Sequence, residues 1–176
     1  MKKILLCLCL FSSAAYANQC EIIDTELAAS YSEMKTYGNY NEKNEEKYQS
    51  SEKRFKDALA KIEKLEGKFC AWEKAPKEGV RVLTSKDQKL QILAWDWQSG
   101  GTIHEYGSIW RYQLPNGIWK TEVNELDSYI TWLVSLKLNG KPYYYIETAD
   151  IYSQCHHAIA AKFYQITEKG LEEANL

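Results

Sequence analysis

The stretch Tyr129-Ile130-Thr131-Trp132-Leu133-Val134-Ser135-Leu136-Lys137-Leu138-Asn139-Gly140-Lys141-Pro142-Tyr143-Tyr144-Tyr145-Ile146 decides the fold class. Its side chains follow the two-residue period of a half-buried strand, and Asn139-Gly140 supplies the positive-φ residues that a tight hairpin needs. A two-residue turn pairs Leu138 with Lys141. That register sets Ile130, Trp132, Val134, Leu136 and Leu138 on one face with Tyr143 and Tyr145. This face is almost wholly apolar and is expected to be the buried one. The reverse carries Thr131, Ser135, Lys137 and Thr148 with Leu133, Tyr144 and Ile146, and is expected to be partly covered.

Turn signals recur outward from this hairpin. Past Pro76 the candidate strands are 80–85, 89–97, 102–114, 117–122, 129–138, 142–149 and 158–166, with further joints at Ser99-Gly100-Gly101 and Pro115-Asn116-Gly117. They read as an antiparallel meander of about six to seven strands, which a strong curl would suit. Before Pro76 the period is helical. Ile23, Leu27, Tyr31 and Met34 form one apolar stripe, and after an interruption at Gly38-Asn39 so do Phe55, Leu59, Ile62, Leu65 and Phe69. The class is therefore α+β, a helical hairpin or broken helix followed by a sheet, with the helices covering one sheet face.

The chain opens with Lys2-Lys3, an apolar run from Ile4 to Phe11 and the small-residue ending Ala15-Tyr16-Ala17, the order of a secretory signal peptide. Cleavage is expected after Ala17, placing the product in the periplasm or outside the cell with no stable membrane span. The organisation is then 1–17 signal peptide, 18–75 helical arm and 76–176 sheet region, with 18–176 one structural domain. Of 176 residues, 159 remain after the cut, and 22 bases against 24 acids become 20 against 24. A net negative chain argues against nucleic acid as a partner.

Cys7 and Cys9 leave with the leader, and Cys20, Cys70 and Cys155 remain. One disulfide and one thiol is the simplest outcome in an oxidising compartment. If the chain reverses at Gly38, Cys20 and Cys70 reach the same end of a hairpin. As one continuous helix they would sit roughly 70 Å apart, and Cys70 would need Cys155 instead. The interruption at Gly38 favours Cys20 with Cys70.

Aromatic residues make up 13% of the chain, including six Trp and 13 Tyr. If the Ser99-Gly100-Gly101 loop is even, Leu90, Ile92 and Ala94 share a face with Ile103 and Ile109. Leu93, Trp95 and Trp97 then share the other with His104, Tyr106, Trp110 and Tyr112. That second face would be an aromatic plate, either a second core layer or a ligand-binding surface for a protein or glycan of the envelope. An odd loop would void the division.

Segment Thr84-Ser85-Lys86-Asp87-Gln88-Lys89-Leu90, then Trp95-Asp96, Gly100-Gly101-Thr102-Ile103-His104, Gly140-Lys141-Pro142-Tyr143-Tyr144 and Ala161-Lys162-Phe163-Tyr164-Gln165-Ile166, resembles a family of secreted bacterial proteins without an assigned activity. The resemblance spans about residues 80–168 and implies a Trp-Asp to Gly-Gly-Thr-x-His hairpin. It supplies no catalytic residues. Ile103 stands where methionine is frequent in that family, and Gln91-Ile92-Leu93-Ala94 departs from its usual aromatic before Trp95.

Catalytic signals are sparse. The chain carries no nucleotide-binding, zinc-protease or nucleophile-elbow motif, and no cofactor is expected. Asp96 and Glu105, placed on one face near the turn, would be the carboxylate pair of a cell-envelope hydrolase, although Asp96 beside a turn also suits amide capping. Cys155-His156-His157 projects Cys155 and His157 to one side, where His104 would make a third metal ligand. A non-enzymatic binding protein using Trp95, Trp97, His104, Tyr106, Trp110 and Tyr112 is the favoured reading. The hydrolase and the metal-binding protein are the alternatives.

Overall fold

The computed structural model describes residues 4–38, 44–65, 69–98, 104–124, 128–153 and 156–176, with the backbone alone for 4–18, 150–153, 156 and 157. Helix α1 spans Ile4–Tyr37 and α2 spans Glu45–Glu63. The expected stripes hold: Ile23, Leu27, Tyr31 and Met34 of α1 and Phe55, Leu59 and Ile62 of α2 are buried in one cluster. Their spacing puts them on one side of each helix, so packing the two stripes together removes both from water. The charged residues of α2 stay outside, where Arg54–Glu33 and Lys61–Glu26 bridge the pair. Such exposed ion pairs contribute little.

The chain does reverse after α1, where the Gly38 amide donates to the Met34 carbonyl at 2.7 Å. That brings Cys20 and Cys70 together in a disulfide, and Cys70 is not joined to Cys155. Around it the buried Asp24 accepts the amides of Glu73, Lys74 and Ala75, fixing the entry to the short helix α3, Ala75–Glu78. Gln91 Nε2 donates to the Cys70 carbonyl at 2.7 Å. The disulfide end is thus tied to both helix and sheet through groups that would be costly to bury unpaired.

Eight strands follow among the described residues, one more than the upper expectation. β1 (Arg81–Thr84), β2 (Leu90–Asp96), β3 (Tyr106–Gln113) and β4 (Trp119–Asn124) form one antiparallel sheet. A second holds β5 (Tyr129–Leu138), β6 (Lys141–Ser153), β7 (His156–Ile166) and β8 (Leu171–Ala174). The single meander is therefore two four-stranded sheets. β8, Leu-Glu-Glu-Ala, was not expected as a strand because its composition carries little strand preference. It forms because the Thr167–Gly170 turn folds it onto β7, where Leu171, opposite Ile166, packs against the edge of the core.

The molecule is layered, with helices on one face of the first sheet and the second sheet on its other face. Leu93, Trp95 and Ile109 join the helical cluster, while Leu90, Ile92, Ala94, Trp110 and Tyr112 pack with Ile130, Tyr144 and Ile146. Arg81 stacks on Tyr129 at 5.4 Å and donates to the Thr131 carbonyl, and the Lys86 amide donates to Ser135 Oγ, joining the two sheets at the β1 side.

The Asn139-Gly140 hairpin has the expected register, Leu138 opposite Lys141 and Val134 opposite Tyr145, with φ of 51° and 79° at the turn. Which face is buried is the reverse of the expectation. Tyr144 and Ile146 are in the core, whereas Trp132, Val134 and Leu138 are exposed. Ile130 escapes to the core side because a bulge between Ile130 and Trp132 flips the alternation at Thr131. The reverse face wins because it meets an already apolar sheet, and the Tyr144 hydroxyl there donates to Asp87 at 2.9 Å.

Candidate functional site

The residues singled out in the sequence do not form one surface. β2 and β3 pair Ile92 with Trp110, Trp95 with Gly107 and Asp96 with Tyr106, so the connection from 97 to 105 holds nine residues, an odd number. This corrects the aromatic plate. Trp95 and Trp97 lie under the helices with Phe55, ring centroids 5.4 and 6.0 Å away, while Tyr106, Trp110 and Tyr112 lie on the opposite face. Trp95, Tyr106, Trp110 and Tyr112 are buried and Trp97 is half-buried beneath Lys56. Gly107 permits this arrangement, since a Cβ there would sit 2.6 Å from the Trp95 ring.

The carboxylate pair is separated by the same register. Asp96 is opposite Tyr106, so Glu105, one residue before Tyr106, does not share its face. Asp96 instead holds His104 Nδ1 at 2.6 Å through Oδ2 and accepts the Gln98 amide at 2.7 Å through Oδ1. Its geometry is that of a loop cap, with His104 stacked on Tyr106. Ile103 and the Ser99-Gly100-Gly101 joint lie outside the described residues, as do Cys155 and the side chain of His157. No group of metal-ligating side chains occurs among the described residues.

Ser85 and Asp87 have visible structural work. Ser85 Oγ donates to Asp87 and accepts the Lys89 and Leu90 amides, closing the turn between β1 and β2. Asp87 then receives the Tyr144 hydroxyl from the other sheet. Burial, with the Asp87 carboxylate as a further cause, pushes the Tyr144 phenol well above its ordinary range, so the hydroxyl stays a donor.

Large exposed apolar side chains gather on the outward face of the second sheet. Register places Trp132, Val134 and Leu136 of β5, Tyr143, Tyr145 and Glu147 of β6, and Ile159, Ala161 and Phe163 of β7 on it. Trp132 is 58% exposed and Ile159 70%. Tyr145 and Phe163 meet edge to face at 5.4 Å across the strands. Glu147 is the polar centre. Its two oxygens accept the Thr131 hydroxyl at 2.6 Å and the Tyr145 hydroxyl at 3.2 Å, which holds the carboxylate in place.

This face was missed because its residues were assigned to the core. A usable signal was present, since both sides of the β5–β6 hairpin are rich in apolar residues and only one could meet the first sheet. Among the described residues, no helix is long and apolar enough to cross a membrane. Comparison with known protein families, with curated proteins and with solved structures finds nothing that this chain matches.

Proposed function

We propose that this chain is a secreted, non-enzymatic binding protein that recognises a protein partner through the outward face of its second sheet. The observation that carries the reading is the exposure of Trp132 beside Val134 and Leu138, large apolar groups aligned on one face. Three strands at about 4.8 Å spacing and ten residues at about 3.3 Å give roughly 500 Å². A contiguous apolar patch of about that size is commonly an interaction site. Rigid aromatic side chains suit the centre of such an interface because they lose little conformational freedom on binding.

The chemistry of the face selects the partner. Its charged groups on β5, β6 and β8 are the acids Glu147 and Glu172 and, at the hairpin end, Lys141, so a complementary surface is apolar and presents a lysine or arginine to Glu147. A protein suits this better than a glycan, because Thr131, Tyr145 and Glu147 already satisfy one another. The leader-like start at Lys2-Lys3 and the Cys20–Cys70 disulfide both support export to an oxidising compartment. The test is capture from envelope extract on immobilised wild type, Trp132→Ser, Glu147→Lys and a remote control, Lys120→Ala. A partner retained by wild type and control and lost from both face variants supports the reading. Equal recovery on all four contradicts it.

A further inference from the structure

The edge of β7 is a separate feature of the same sheet. β7 runs from His156 to Ile166, but β8 pairs only with Phe163–Ile166. From His156 to Lys162 that edge has no neighbouring strand among the described residues, and residues 158–162 are all exposed. The direction of the backbone groups follows from the turn. The Thr167 amide donates to the Gly170 carbonyl, and bonded pairs recur every second residue in an antiparallel ladder. Gln165 and Phe163 therefore bond towards β8, and Ala161, Ile159 and His157 turn their N–H and C=O groups to the same side, beyond the last β8 pair at Ala174.

Natural edge strands are blunted by proline, bulges, inward charges or a covering segment. The run Ala158-Ile159-Ala160-Ala161 has no proline and no charge, and its pairing with β6 is regular from Ala158 onward. We propose that this edge pairs antiparallel with the same edge of a second copy of the chain, about a two-fold axis at Ile159. Ile159 then faces Ile159 of the other copy, and each Ala161 faces the other copy's His157. All six residues at these positions present their edge groups to one another, so every donor meets an acceptor.

A second copy is the occupant that this edge favours. An identical edge is complementary by symmetry, the small alanines leave room on both faces, and a two-fold contact closes without propagating. Seven residues at about 3.4 Å and a sheet about 10 Å thick bury roughly 240 Å² per copy, some 500 Å² in all. Stable dimers need about 1,200 Å² or more, so this one forms and dissociates with concentration. The axis is perpendicular to the sheet, which sets both outward faces on the same side as a bivalent platform. The pairing uses the β7 edge and stands independently of what binds Trp132.

Sedimentation of the mature chain from about 1 µM to about 1 mM tests the pairing, together with amide exchange at both limits. The mass is expected to rise from monomer to dimer, with the Ile159 and Ala161 amides gaining about tenfold protection or more. The Ala160 amide, bonded to β6, should be protected at both concentrations. Ala161→Pro removes an outward N–H, which an edge tolerates, and is expected to stay monomeric with an unchanged melting temperature. A monomer throughout, a dimer whose Ile159 and Ala161 amides gain no protection, or a folded Ala161→Pro that still dimerises would each overturn the proposal.

Discussion

Ile146→Ala and Val134→Ala sit on opposite faces of the same hairpin and separate the observed burial from the one the alternation implies. Ile146 is 2% exposed in the inter-sheet core. Its truncation removes three carbons, about 2.4 kcal/mol of transfer free energy at about 0.8 per carbon. The cavity left behind raises this to about 3 kcal/mol or more. Val134 is 38% exposed, so losing two carbons forfeits about 1 kcal/mol, part of it reduced strand preference. With a urea slope of about 2 kcal/mol/M, the midpoints should fall by about 1.5 M and about 0.5 M respectively. Equilibrium urea unfolding followed by tryptophan fluorescence, with the disulfide intact, measures both. A Val134→Ala loss equal to or larger than that of Ile146→Ala would refute the layer assignment.

Two further outcomes follow from the same contacts. Removing the disulfide with Cys20→Ser should destabilise the fold by about 4 kcal/mol on loop-entropy grounds, because the bond closes a loop of 50 residues' separation. Thermal unfolding of the variant against wild type reads this out, and an unchanged melting temperature would contradict it. Burial, and then the Glu122 carboxylate, push the Tyr112 phenol up to about 12. Since the folded state holds that proton more tightly than the unfolded chain, its contribution is complete below pH 10 and is lost between about 10 and about 12, up to roughly 3 kcal/mol. Tyr112→Phe should flatten that part of the stability profile, as measured by denaturant titration at stepped alkaline pH.

The helical half was legible because a 3.6-residue stripe has one solution: Ile23, Leu27, Tyr31 and Met34 must face Phe55, Leu59 and Ile62. The Asn139-Gly140 register was equally legible, since a two-residue turn leaves no freedom in pairing. Face choice was not. Both sides of that hairpin hold apolar residues, and selection came from the first sheet, whose Leu90, Ile92 and Trp110 lie far off in sequence. The bulge at Thr131 and the odd connection between Asp96 and Tyr106 each shift alternation by one residue, and composition carries no record of either. Thus the ring-bearing residues around Trp95 became core, and Trp132, assigned to the core, came to lie outside.

Hydroxyl-radical footprinting of the isolated chain, read by mass spectrometry at Trp132 and Trp95, bears most directly on the outward sheet face. Trp132 should oxidise at nearly the rate it shows in the unfolded chain, and Trp95, 2% exposed, at least about tenfold more slowly. Trp132 as protected as Trp95 in the monomer would contradict the exposed outward face.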